Sequence, residues 1–451
     1  MFTHISTGCI RQRFIITTMV LRSLYSHNPF LFTHRRSADY FFTLGFNMKR
    51  REFLTSLAGV AALTNTLKAN EQELKKNGKS AILLWMGGGP STMDIWDLKP
   101  DAPTGGPFKP IATSGDVQIS EHMPLMAKQM HNMAIVRSMS TREADHMRGR
   151  YYMHTGYVPN PNMVHPSYGS VLSKELEKPE LMIPQFVSVN GPSAGAGFLG
   201  AEYSPFVVNS DGRIRNLNMK IDQRFYQRAQ ALDIIETNFI NSSRGALAKE
   251  HQKVLRKTFN VLTSSEMDAM KVEGEPENVK ERYGDNSFGK GCLMARRLVE
   301  VGVPFIEVGL GGWDNHQNIF PTLRDTKLPM LDQGMSALVE DLEQRGLLED
   351  TAIIWMGEFS RTPRINQNAG RDHWARSWSV VVGGAGMKGG IAVGATNEDG
   401  TRVETEPYSS QDVMASVCKA LGISLQTTYT SNSGRPMKIA NSGKVITELF
   451  S

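Results

Sequence analysis

Three observations predict that the chain folds as a doubly wound α/β structure, a mostly parallel sheet flanked by helices. First, the runs 81–86, 133–136, 186–189, 305–310, 351–356 and 379–382 are apolar without alternation, as strands buried on both faces are. Second, amphipathic helical patterns separate the later runs; in 330–345, Leu331, Met335, Leu338, Val339 and Leu342 form one stripe. Third, glycines and polar residues follow the runs, beginning with Gly87, Gly88, Gly89 and Pro90 after the first, so the chain turns where a βαβ unit requires it. With 451 residues, 40% of them hydrophobic, there is material for a substantial core.

The formal charge of +5 suggests a nucleic-acid partner until its distribution is traced. Nine basic residues against two acidic ones precede Asn70, giving +7 there and −2 for the remainder. A mildly acidic body lacks the clustered cations that a phosphate backbone demands. Within the basic leader, Lys49, Arg50, Arg51, Glu52, Phe53 and Leu54 precede the apolar run 55–67, and Leu67, Lys68 and Ala69 offer a small-residue cleavage site. That order predicts a twin-arginine export signal over 48–69, read by the twin-arginine translocase, with a periplasmic or otherwise exported mature protein. The apolar run falls short of the roughly 20 residues that span a bilayer, so no stable membrane span is expected in the mature form. Residues 1–47 read as an over-extended start ahead of Met48, with a membrane-proximal extension as the alternative.

The body, 80–451, is expected to be one α/β domain. Its segment 211–286 is charged, helical in pattern and poor in strand signals, which predicts a helical insertion or cap. Cys292 and Cys418 lie in apolar helical stretches and Cys9 in the leader; buried free thiols are expected, with a single disulfide as the alternative. No CxxC occurs, so a thiolate zinc site is not expected.

Ligands of open α/β sheets collect beyond the carboxyl ends of the strands, and there the sequence is rich in metal-capable groups. Asp94 and Asp97 follow the first run; Ser138, Ser140, Thr141, Glu143, Asp145 and His146 follow the second. Asp314 and His316 follow the run 305–310, Glu358 and Arg361 the run 351–356, and Arg371, Asp372 and His373 precede the last. One such residue is ordinarily a cap or a satisfied polar group. Their recurrence at successive strand ends predicts a mixed oxygen and nitrogen site for a divalent metal: zinc, manganese, calcium or magnesium.

The motifs GGGPSTMDIWD, RSMSTREADH, GGWDNHQN, MGEFSRTPR and GRDHW resemble those of a bacterial family of unknown function, the domain-of-unknown-function family numbered fifteen hundred and one. That family looks like a branch of the alkaline phosphatase and sulfatase superfamily, and the resemblance covers nearly all of the mature chain. It implies an alkaline phosphatase-like fold with Asp94 (or Asp97), Asp314, His316, Glu358 and His373 as metal ligands. Arg361 and Arg371 would offer guanidinium forks to an oxyanion, or else bridge to Glu358 or Asp372. A hydroxyl nucleophile is expected at a helix start after the second strand, Thr141 or Ser140 ahead of Ser138, with His146 as a ligand or acid–base group.

Two departures bound this resemblance. No C/S-x-P-x-R motif is present, against a formylglycine sulfatase, and the close spacing of Asp314 and His316 argues against a standard two-zinc site. His122, His131, His154 and His165 sit among apolar and aromatic residues and read as structural; Gly383, Gly384 and Gly386 read as a turn, since no GK[ST] follows. The expected activity is metal-dependent hydrolysis of phosphate or sulfate esters, with a sulfated or phosphorylated polysaccharide as one substrate class. A non-catalytic binding or surface-assembly protein and a phosphomutase-like enzyme are the alternatives.

Overall fold

A computed structural model describes residues 78–214, 223–241, 252, 259 and 263–451. The export signal expected at 48–69, the leader before it and part of the segment 211–286 lie outside these residues. Eight strands form the main sheet: β1 (Ser80–Met86), β2 (Met133–Met139), β3 (Phe186–Val189), β4 (Phe206–Val208), β5 (Phe305–Leu310), β6 (Thr351–Met356), β7 (Trp378–Gly383) and β8 (Ala392–Val393). Their order is β8-β2-β7-β6-β1-β5-β3-β4. Every neighbouring pair is parallel except those of β7, which runs antiparallel to both β2 and β6. The mostly parallel α/β class expected from the apolar runs is what the chain adopts.

Burial of both faces explains the unalternating runs. Along β1, Ile82, Leu84 and Met86 enter one hydrophobic core while Ala81, Leu83 and Trp85 enter the other. The first core is closed by the helices Ser287–Glu300 and Leu328–Gln344, through residues such as Cys292, Leu298, Met335 and Leu338. The second is closed by α1 (His146–Thr155), α2 (Tyr168–Glu175) and α3 (Ser410–Ala420), with Met153, Leu172, Val417 and Cys418 pointing inward. Cys292 and Cys418 are free thiols on opposite faces of the sheet, and burial pushes both upward in pKa. Within the segment 211–286, Gln223–Asn241 is helical, and Ile234 and Ile235 on it are each 62% exposed. Among the described residues no helix is long and apolar enough to cross a membrane.

Close packing of α2 on the sheet depends on Gly169. A Cβ there would lie 2.6 Å from Phe186 Cζ and from Phe305 Cε1, whose rings meet edge to face at 4.9 Å. Interiors packed this tightly do not absorb an added methyl group without moving rings or backbone. Gly169→Ala is therefore expected to lower stability by about 1–3 kcal/mol; an unchanged denaturant midpoint would refute this account of the contact.

Candidate metal centre

Because β7 opposes its neighbours, its amino end shares one rim of the sheet with the carboxyl ends of β1, β2, β5 and β6. Asp314 and His316 lie in the loop after β5, and Glu358 lies just beyond β6. His146 opens α1, whose N-cap Asp145 accepts the Arg148 backbone N–H at 3.0 Å. His373 is opposite Arg361 in a short antiparallel ladder, His373–Trp374 against Ser360–Arg361. The glycine loop after β1 packs directly on these segments. Gly88, at φ 114°, donates its N–H to Glu358 Oε1 at 2.9 Å, and a Cβ there would come within 2.6 Å of the Asp314 nitrogen. Only glycine fits both that backbone conformation and that approach.

Three imidazoles converge on the Asp314 carboxylate in a consistent orientation. Each Nδ1 faces an acceptor: Glu358 Oε1 at 2.7 Å from His146, Asp372 Oδ1 at 2.7 Å from His316, and the Ala144 carbonyl at 2.9 Å from His373. In a neutral ring those acceptors favour the proton on Nδ1, which turns an Nε2 lone pair inward. The three Nε2 atoms meet Asp314, His146 at 3.3 Å from Oδ2, His316 and His373 at 2.9 and 3.3 Å from Oδ1. His316 Nε2 and His373 Nε2 are 3.2 Å apart. Lone pairs gathered around a carboxylate repel one another unless a proton or a cation lies among them.

The spacing is one that could hold a metal ion. Donor atoms of His146, Asp314 and His373 lie within 4.8 Å of one another, and tetrahedral bonds of about 2.0–2.1 Å imply ligand separations of about 3.3–3.4 Å. Glu358 is 4% exposed, yet no hydrogen-bond donor reaches its Oε2, an uncommon state for a buried carboxylate oxygen. Partial burial alone would raise the Asp314 carboxyl, but the hydrogen bond and charge of Arg361, with smaller effects of His146 and His316, hold it down to about 2. The bond to His316 similarly keeps Asp372 below its ordinary value. Burial lowers the Arg361 pKa, and Asp314 opposes that effect.

Asp314, His316, Glu358, His373 and His146 are thus brought together. Asp94 and Asp97 make other contacts. Asp94, 1% exposed, accepts Arg371 Nε and Nη2 at 2.8 and 2.9 Å and Ser91 Oγ at 2.6 Å. Asp97 accepts Thr396 Oγ1 at 2.5 Å and faces Lys99 at 3.2 Å and Arg137 at 3.5 Å. Neither carboxylate belongs to the three-residue group that could hold a metal.

The arginines also depart from expectation. Arg371 is fully buried against Asp94 and the carbonyls of Thr362, Pro363 and Thr104, so its donors are occupied by the protein rather than offered to an oxyanion. Arg361 donates to the carbonyls of Gly88 and Gly89 and pairs with Asp314 at 2.6 Å. Its ion-pair partner is Asp314 and that of Arg371 is Asp94, rather than the Glu358 or Asp372 of the alternative reading.

No competing hydroxyl occupies a helix start. Ser138 is inside β2, and Ser140 and Thr141 lie in the following loop, their N–H groups bonded to the Tyr408 and Ala375 carbonyls. The helix begins only at His146 because Asp145 caps it. Buried Thr141 Oγ1 and Ser138 Oγ have no hydrogen-bond partner. Sequence reasoning missed Asp372 as the group that orients His316; its place between Arg371 and His373 was the available signal.

These features define an α/β protein with a histidine- and carboxylate-rich candidate metal centre at the carboxyl rim of its sheet. The chain belongs to the family described as protein of unknown function DUF1501, whose model matches residues 78–450. No curated protein matches the sequence significantly. Among solved structures it is similar to the PsFucS1 sulfatase from Pseudoalteromonas sp., at 15% identity and a TM-score of 0.35, covering 78% of this chain and 72% of that one. A protein in the alkaline phosphatase superfamily from Vibrio parahaemolyticus matches at 10% identity and a TM-score of 0.36, covering 82% and 69%. The alkaline phosphatase of the Antarctic bacterium TAB5 matches at 12% and 0.32, covering 76% and 98%.

The buried Asp94–Arg371 pair makes a direct prediction. Asp94→Ala leaves an uncompensated interior guanidinium and should destabilise the protein by about 3–5 kcal/mol, while adding Arg371→Met should recover much of that loss. Equal denaturant midpoints for wild type and Asp94→Ala would contradict the pairing.

Proposed function

We propose that the chain is an exported metal-dependent hydrolase of phosphate or sulfate esters, acting on a sulfated or phosphorylated polysaccharide. The observation that carries this reading is the set of three imidazoles with Nδ1 held by Glu358, Asp372 and Ala144 and Nε2 turned toward Asp314. His146, Asp314 and His373 would hold the ion, with His316 adjacent. An imidazole-rich donor set suits zinc or manganese better than calcium or magnesium. When bound, the ion supplies Lewis acidity toward the ester oxygens.

The chain's own residues have separate tasks in this reading. Glu358, Asp372 and the Ala144 carbonyl fix ring orientation and raise the basicity of the imidazoles. Arg361 keeps Asp314 ionised and aimed inward. Thr141, whose Oγ1 lacks a partner, is the preferred nucleophilic hydroxyl, with Ser140 the competitor. The paired arginines and apolar run of 48–69 support export through the twin-arginine translocase. The fold alone would not assign an activity.

Metal analysis of the purified mature protein, followed by assays with aryl phosphate and aryl sulfate, tests the proposal. Stoichiometric metal and hydrolysis of at least one ester are expected. Asp314→Ala and His373→Ala should abolish metal retention and turnover, and Asp372→Asn should weaken metal affinity about 10–100-fold. Bound metal without hydrolysis of either ester would favour a binding or surface-assembly protein instead; absence of metal from the intact protein would remove the enzyme reading.

A further inference from the structure

With Arg361 and Arg371 engaged by the protein, charge recognition at this rim falls to other cations. The segments 141–144 and 373–376 run side by side, joined by the Thr141 N–H to the Ala375 carbonyl at 2.7 Å and by His373 Nδ1 to the Ala144 carbonyl at 2.9 Å. The residue after each member of the first contact is an arginine, Arg142 and Arg376. Both are exposed, and among the described residues neither has a carboxylate partner. Two other arginines nearby do have one, Arg148 with Glu143 and Arg361 with Asp314. Arg376 lies over the Trp374 ring, its guanidinium carbon 5.8 Å from the ring centre, and Trp374 is fixed through its indole N–H to Ser377 Oγ at 2.8 Å.

We propose that Arg142 and Arg376, with the Trp374 ring beside them, form an anion subsite next to the metal centre that binds a second sulfate or phosphate group of a carbohydrate substrate. The proposal rests on the ester hydrolase reading above and narrows its substrate to glycans bearing more than one anionic group. Two guanidiniums carried on adjacent backbone segments can share one tetrahedral oxyanion through charge-assisted hydrogen bonds. Arg376 follows His373 by three residues, and the anion assigned to this pair is a group other than the ester at the metal. An aromatic side chain supplies an apolar surface for a pyranose ring, and the arginine above it couples that surface to the charged substituent. The mildly acidic body argues for a discrete subsite rather than a general polyanion track.

The test is calorimetric titration of the metal-loaded mature protein with low-molecular-weight dextran sulfate, neutral dextran and inorganic phosphate. Dextran sulfate should bind and neutral dextran should not. The double variant Arg142→Gln, Arg376→Gln should weaken dextran sulfate binding on the order of tenfold or more, as expected for lost charge-assisted contacts, while retaining metal and binding one inorganic phosphate fewer than wild type. Arg142→Lys with Arg376→Lys should restore part of the affinity, which separates charge recognition from a packing defect. Dextran sulfate affinity unchanged in the double Gln variant would overturn the subsite, as would an unchanged stoichiometry of inorganic phosphate. Single-stranded DNA bound as tightly as dextran sulfate would overturn its assignment to carbohydrate. Failure of the protein to retain metal defeats the hydrolase reading by a different measurement.

Discussion

The Asp314 carboxylate is the point on which the rim of this protein is organised. Four nitrogen-bearing side chains from three separate segments reach it: Arg361 at 2.6 Å, His316 at 2.9 Å, and His146 and His373 at 3.3 Å. Arg361 accounts for one oxygen's charge, and its other donors tie the glycine loop after β1 into the same assembly. The imidazoles are different, because their Nδ1 atoms face acceptors and their Nε2 atoms face the carboxylate. Arg361 supplies one positive charge there, its Nη1 also reaching His316 Nε2 at 3.4 Å, and a ring proton or a bound cation would supply another.

The sheet makes that convergence possible. Parallel strands deliver the ends of β1, β2, β5 and β6 to the same side, and the reversed β7 brings the preceding ladder, with Arg361 and His373, to that side as well. Close approach of the loops then depends on backbone with no side chain to intrude, as at Gly88. Beneath the rim the Asp94–Arg371 pair occupies the interior, its bidentate geometry closing the hydrogen-bond requirements of two charges that water cannot reach.

Much of this was legible in the amino-acid order. Six of the eight strands announce themselves as apolar runs because both faces are buried. Phe206–Val208 and Ala392–Val393 were not read, since edge strands of two or three residues carry too little pattern. The residues gathered at strand ends were identifiable by type and place. Their partnerships were not: Asp94 looks like any strand-end acid until Arg371, far along the chain, is seen folded against it. His146 was legible as a site residue, yet its equivalence to His373 depends on where Asp145 starts a helix. The hydroxyls drew attention by position alone, and the same cap displaced them from a helix start.

The two buried thiols carry a consequence for how the molecule matures. Cys292 and Cys418 are separated by the full thickness of the sheet, so the described architecture is assembled without any cross-link between them. Oxidation of this pair is no part of reaching that shape. A reductant has no bridge between these two sulfurs to break.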